Sequence, residues 1–72
     1  MEIKIGEFGK ITTGQNMGHY VKVIDDSADT GGFLILTGPT SDLKDCYDNW
    51  VEDSNALQAY FTEAGWRVLW LV

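Results

Sequence analysis

The chain has 72 residues, of which 44% are apolar and 12% aromatic, and it carries a formal net charge of −6. This length predicts a single domain, residues 1–72, and the composition is that of a folded protein and not of a disordered acidic tail. The negative charge repels phosphate groups and anionic membranes and attracts basic proteins, so the chain is not expected to bind nucleic acid or membranes directly.

The first half of the chain is predicted to form strands. Residues 3–5 alternate between apolar and polar and predict a short strand, which residues 8–11 either continue or follow with a new one. After a loop rich in turn-forming residues, residues 20–24 have the β-branched and aromatic composition of a strand. Aspartates and glycines over residues 25–32 predict a turn, and residues 33–36 predict the strand that completes a β-hairpin.

The segment after the hairpin has mixed signals. Gly38-Pro39 ends the strand, and Ser41 is placed to cap one or two helical turns that begin at Asp42. Residues 45–53 match neither the helical nor the strand period, and we interpret them as irregular or extended.

One amphipathic helix is predicted over residues 55–64, followed by a terminal strand over residues 66–72. Asp53 or Ser54 is the predicted N-cap, and Gly65 is the predicted C-cap. The resulting order, β-β-β-α-β, predicts a small α+β domain with a mostly antiparallel sheet and one helix packed on it. The helix places its apolar side chains at the spacing of one face: Leu57, Tyr60, Phe61 and Ala64.

Two of the predicted strands, residues 33–36 and 68–72, are apolar on both faces, whereas a single helix covers one face of a sheet. Strands of this kind normally need cover on both faces. Either the segment that contains Tyr47 and Trp50 folds over the second face, or another protein covers it. We favour the segment, because small domains often fold long segments over a sheet.

The sequence has no catalytic or metal-binding pattern. Cys46 and His19 are the only cysteine and histidine, and we expect a packed thiol and a solvated surface histidine. Residues 25–31 begin like a calcium loop, but Thr30 and Leu36 stand where an EF-hand requires glycine and glutamate. The glycines lack the spacing of a phosphate-binding loop. The chain is therefore predicted to be non-enzymatic, with no metal and no cofactor.

The cellular location is predicted from what the sequence lacks. A single cysteine excludes an internal disulfide framework, which favours a reducing compartment. The N-terminus has no apolar run that would serve as a signal peptide, and no run of apolar residues is long enough to span a membrane. A cytoplasmic protein is expected.

The negative charge is concentrated between residues 25 and 53, which carry eight acidic residues and one base, whereas the remainder sums to +1. Asp42, Asp45 and Asp48 are three residues apart and would align on one side of a helix. Tyr47 and Trp50 lie among the acids, a composition typical of surfaces that bind Arg and Lys, although both rings would also serve as core residues. The candidate partner-binding residues are Asp25, Asp26, Asp29, Asp42, Asp45, Tyr47, Asp48, Trp50, Glu52 and Asp53.

Several short segments within residues 20–71 occur in an order that resembles a known class of proteins. They are Asp25-Asp26-Ser27, Gly31-Gly32-Phe33-Leu34-Ile35, Asp48-Asn49-Trp50-Val51-Glu52, Leu57 with Tyr60-Phe61, and Gly65-Trp66 with Trp70. This layout resembles small acidic immunity proteins of bacterial toxin systems. The resemblance implies a cytoplasmic, non-enzymatic protein that binds a basic toxin domain, often a nuclease, and blocks its active site or a neighbouring surface. It also implies that the acidic segment contains the binding residues.

Two classes of function remain open from the sequence. In the first, the carboxylates occupy the place of substrate phosphates on a basic enzyme, which fits an immunity protein that neutralises a toxin. A phage-encoded inhibitor of a host nucleic-acid-handling system, such as an anti-CRISPR protein, would use the same physics. In the second class, the doubly apolar strands pack against a second copy, and the acids keep the homodimer soluble.

Overall fold

A computed structural model describes residues 2–71, which form a five-stranded sheet with one helix packed on it. All neighbouring strands are antiparallel, and their order across the sheet is β4-β3-β2-β1-β5. The predicted α+β class is confirmed. The elements in chain order are β1 (Phe8–Thr13), β2 (Tyr20–Asp26), β3 (Gly32–Gly38), β4 (Tyr47–Val51), α1 (Ser54–Ala64) and β5 (Arg67–Trp70).

The first four strands form a meander, and α1 then carries the chain across the sheet so that β5 pairs with β1. β4 and β5 are consequently the two edge strands. The hairpin predicted around residues 25–32 is present as β2 and β3, which pair along their full length from Tyr20–Gly38 to Asp26–Gly32.

The buried core lies between α1 and one face of the sheet, which we call the inner face. Val23 and Ile35 are paired across β2 and β3, and both are fully buried. Because paired residues in a sheet project to the same side, the register assigns every strand residue to the inner face or to the opposite, open face. The helix contributes Leu57 and Phe61 to this core, as its apolar stripe predicts, and Tyr60 and Ala64 pack against it.

Both predicted helix caps are present. The Asp53 carboxylate accepts a hydrogen bond of 2.8 Å from the backbone N–H of Ala56, which satisfies one of the unpaired donors of the first turn. Gly65 ends the helix in the left-handed conformation with φ of 70°. The loop after β1 holds this end of the helix, since the N–H of Gln15 donates to the carbonyl oxygen of Ala64 at 2.9 Å.

Apart from the number of strands, three sequence predictions differ from the structure. Residues 3–5 are not a strand; the first strand begins at Phe8. Residues 41–45 form two successive turns instead of a capped helix, because the Asp42 carboxylate accepts hydrogen bonds from the Thr40 hydroxyl and the Lys44 N–H and so stabilises a turn. The terminal strand is shorter than predicted, and Val72 lies outside the described residues.

The largest difference is a fourth strand before the helix, β4, within the segment that we interpreted as irregular or extended. β4 pairs with β3 from Thr37–Tyr47 to Phe33–Val51. Four of its five residues are exposed, because it is an edge strand with little cover on either side. An edge strand of this kind does not need the apolar alternation by which strands are identified in a sequence.

Candidate protein-binding surface

Five of the predicted binding carboxylates lie at one end of the sheet. β4 runs antiparallel to β3, so Val51 at its end pairs with Phe33 near the start of β3. The residues that follow β4 therefore lie beside the turn that joins β2 to β3. We call this group the acidic end; it consists of Asp25, Asp26, Asp29, Glu52 and Asp53.

The turn between β2 and β3 is held by hydrogen bonds from small polar side chains. The Thr30 hydroxyl donates to a carboxylate oxygen of Asp26 at 2.9 Å, and the N–H of Ser27 donates to Asp25 at 2.9 Å. Two hydrogen bonds from Ser27 lower the pKa of Asp25, because both favour the ionised form. The bond from the Ser27 hydroxyl has the larger effect, and the bond from its N–H has the smaller one. These contacts keep the carboxylate of Asp25 charged and set the shape of the turn.

Trp50 connects the acidic end to the edge of the sheet. Its indole N–H donates to the Thr30 hydroxyl at 2.8 Å, and its ring lies over Gly32, where an added Cβ would be 2.7 Å from the indole. The side chain nevertheless remains 50% exposed. Trp50 is thus an exposed aromatic side chain held in one orientation beside the β2–β3 turn.

The remaining predicted acids lie elsewhere. Asp42 and Asp45 are exposed in the connection between β3 and β4, at the opposite end of the sheet, about 20 Å away for a strand of seven residues. Asp48 is exposed in β4 on the open face, between the two ends. None of Asp42, Asp45 and Asp48 is helical, so the condition under which they would align is not met. The Thr40 hydroxyl and the Lys44 N–H lower the pKa of Asp42.

Neither aromatic residue of the segment is a core residue. Tyr47 is 75% exposed and lies on the same side of the sheet as Thr37, at the end remote from Trp50. The expectation that this segment covers the second face of the sheet is wrong, since residues 47–51 extend the sheet as β4. Within residues 2–71, no element lies across the open face.

The bases of the chain do not neutralise these carboxylates. Among the described residues, the one side-chain ion pair joins Lys4 and Glu2 at 3.2 Å, outside the acidic segment. The acids between residues 25 and 53 instead bind backbone N–H groups and hydroxyls, or face solvent. Their charge is therefore available to a partner.

Cys46 and His19 do not form a site. Cys46 is exposed, so the predicted packed thiol is wrong; the residue lies just before edge strand β4, where no element covers it. His19 is half-buried and lies just before β2. In the sheet, β3 lies between β2 and β4, the strand that Cys46 precedes. In the part of the chain that the structure describes, no group of three or more His, Cys, Asp or Glu side chains is placed to hold a metal ion.

Sequence reasoning missed two residues of this surface, Thr30 and Gly32. Both act through Trp50, and their roles depend on the β3–β4 register, which a single sequence does not contain. A glycine in a strand is a signal for the close approach of another group, and Gly32 is such a case.

Comparison of the chain with protein-family models, curated proteins and solved structures gave no match. Among residues 2–71, no helix has both the length and the apolar character needed to cross a membrane.

Proposed function

We propose that the chain is a non-enzymatic binding protein that inhibits a basic partner through its acidic end. The observation that carries this proposal is the arrangement around Trp50. Five carboxylates lie at the same end of the sheet as an exposed indole that Thr30 holds in place, and no described base pairs with them.

The carboxylates of the acidic end and the indole ring of Trp50 would contribute to such a complex in different ways. The carboxylates raise the association rate with a positively charged protein and accept hydrogen bonds from Arg and Lys side chains. The indole offers a large apolar surface and a π face for a guanidinium or ammonium group. Because Trp50 is already fixed by its hydrogen bond to Thr30, little side-chain entropy is lost on binding.

An immunity protein of a bacterial toxin system is the biological role that we favour. The resemblance in sequence layout supports it, and the carboxylates would take the place of phosphates in the active site of a toxin nuclease. Such a protein acts in the cytoplasm, where the toxin arrives. A phage-encoded inhibitor of a host nucleic-acid-handling system has the same surface requirements, and the identity of the partner decides between the two.

The test compares two triple variants of equal net charge. The first changes the acidic end by Asp25→Asn, Asp29→Asn and Glu52→Gln, which leaves the helix cap Asp53 intact. The control removes three charges elsewhere. It consists of Asp42→Asn, Asp45→Asn and Glu63→Gln, all at exposed positions.

The basic partner is first isolated from the source organism by pull-down at low salt. Its association with each variant is then measured by stopped flow, at low and at physiological salt. The acidic-end variant is expected to associate roughly ten-fold more slowly or worse, because charge complementarity acts mainly on the on-rate. The control variant should stay close to the wild type. Equal losses in both variants would show that only net charge matters, and unchanged binding in the first would contradict the proposal.

A further inference from the structure

The open face of the sheet carries an apolar surface that the rest of the described chain leaves uncovered. The register places Ile24, Leu34 and Trp50 side by side across β2, β3 and β4 on this face. Leu36 lies one row further along, between Asp48 and Lys22. Leu69 of β5 is 58% exposed at the far side of the same face. The open face is therefore apolar over most of its width, the situation expected for one half of a sheet sandwich.

The other two aromatic rings of the open face, those of Phe8 and Tyr20, each have a lysine ammonium group above them. The ammonium group of Lys22 lies 4.7 Å from the centre of the Phe8 ring, and that of Lys10 lies 5.9 Å from the centre of the Tyr20 ring. Their alkyl chains add apolar surface, while their charges remain at the surface.

Opposite charges on the open face lie on opposite sides of one diagonal, and we call these two sides the basic corner and the acidic corner. Lys10 and Arg67 lie on β1 and β5 at the end remote from the β2–β3 turn, and Lys22 lies nearer the middle. Asp48 lies at mid-length of edge strand β4, and Asp26 lies at the turn end of the central strand β2. This face thus has three bases and two acids, in contrast to the net charge of −6 of the whole chain.

We propose that a second copy of this chain covers the open face, in a two-fold symmetric homodimer. The axis lies in the plane of the face, perpendicular to the line that joins the two charged corners. It places the corner with Lys10 and Arg67 of each copy against the corner with Asp26 and Asp48 of the other. The apolar middle around Leu34 and Leu36 packs on itself, and the strands of the two sheets cross at a steep angle, as in orthogonally packed sheets.

The charge pattern selects a second copy over a basic partner. A partner drawn to the acidic end would meet three bases on the open face, whereas a second copy presents opposite charge at each corner. A two-fold interface of this kind is self-complementary by construction.

The area also suffices. Five strands spaced about 4.8 Å apart and about 20 Å long span about 24 Å by 20 Å, so two copies bury on the order of 1,000 Å², near the lower limit for a specific interface.

Sedimentation velocity between about 1 and 200 µM, a range that brackets micromolar affinity, tests this inference. The wild type is expected to shift from monomer to dimer in this range. Leu36→Lys should remain a monomer throughout, because it buries a charge in the middle of the interface. Met17→Lys is the matched control, since Met17 is 67% exposed in the loop before β2, outside the strands that form the open face. This variant should dimerise like the wild type.

A charge exchange tests the two-fold arrangement without altering the apolar middle. One variant carries Lys10→Glu and Arg67→Glu, and the other carries Asp48→Lys and Asp26→Asn, the latter keeping an acceptor for Thr30. Each variant alone is expected to be monomeric. In the first variant both corners are negative, and in the second both are positive, so the two corners of neighbouring copies repel each other. Mixed in equal amounts, the two should form a heterodimer, since every corner contact is again attractive.

A wild type that stays monomeric up to the highest concentration, or a mixture that forms no heterodimer, would overturn the homodimer. If Leu36→Lys proves unfolded by circular dichroism, the charge exchange decides alone, because Lys10, Arg67 and Asp48 are exposed. Asp26 and Trp50 belong to both proposed surfaces, so a second copy on the open face would compete with a basic partner at the acidic end. The inhibitor test changes only Asp25, Asp29 and Glu52, and the dimer test changes none of these three, so failure of one proposal is distinguishable from failure of the other.

Discussion

The indole N–H of Trp50 donates a 2.8 Å hydrogen bond to the hydroxyl oxygen of Thr30, and this bond ties the edge strand β4 to the β2–β3 turn. Thr30 in turn donates to Asp26 at 2.9 Å, so one hydroxyl links an aromatic side chain to a carboxylate of the acidic end. Residues 20 positions apart in sequence thereby form a single surface.

Thr30→Val removes the hydroxyl from this network and is expected to lower the free energy of unfolding by about 0.5–1.5 kcal/mol. Thr30→Ser keeps the hydroxyl and should cost less. Urea unfolding of Thr30→Val, Trp50→Phe and the double variant measures the coupling, for which we expect about 0.5 kcal/mol or more. Additive effects would mean that the hydrogen bond contributes nothing to the surface in solution.

Gly14 holds the loop after β1 against the C-terminal end of α1. Its φ is +89°, and a Cβ at this position would collide with the backbone oxygens of Ala64 and Gly65. Gly18 has a similar φ of +93° but open space around it, which makes it a matched control.

Gly14→Ala is therefore expected to lower the free energy of unfolding by more than about 2 kcal/mol, because backbone atoms must move as well as φ. Gly18→Ala should cost about 1–2 kcal/mol, from the unfavourable backbone conformation alone. Thermal or urea unfolding of both variants provides the comparison. Equal losses would show that the contact between this loop and the helix end is not tight.

The lowered pKa of Asp25 is expected to make the stability of the fold depend on pH. Its pKa in the folded chain lies below the ordinary value of 3.8, because the hydroxyl and N–H of Ser27 stabilise the carboxylate. A lowered folded pKa means that the contribution is present above pH 3.8 and is lost as the pH falls through the folded pKa. Stability should therefore decline below about pH 4, and Asp25→Asn should make this decline shallower.

Urea unfolding between pH 2.5 and 6, a range from about one unit below to about two units above the ordinary carboxyl pKa, measures the effect. Asp29→Asn removes an equal charge from the same turn without touching the hydrogen bonds of Ser27, so it serves as the control. If the stability of Asp25→Asn declines below about pH 4 as steeply as that of the wild type, the lowered pKa of Asp25 is contradicted.

Cys46 is exposed just before β4. Its thiol is expected to react with Ellman's reagent in the native protein, at a rate of the same order as in urea, because access does not require unfolding. The reaction is followed by absorbance with one thiol expected per chain. A thiol that reacts only after denaturation would place Cys46 in a packed environment, contrary to the structure.

Local signals in the sequence determined the helix and the central hairpin. Asp53 and Gly65 cap α1 through contacts within a few residues, and its apolar stripe needs only the helical period. The turn between β2 and β3 likewise follows from the aspartates and glycines that form it. These features need no knowledge of distant parts of the chain, so they are visible in a single sequence.

The sequence alone also determined that the negative charge lies between residues 25 and 53, but only the tertiary structure decided where that charge is displayed. β4 exists because it pairs with β3, and its antiparallel direction brings Glu52 to the β2–β3 turn while leaving Asp42 at the other end of the sheet. Strand pairing is a non-local interaction, and an exposed edge strand leaves no periodic pattern behind. For the same reason, the open face and its two charged corners became visible only once the register was known.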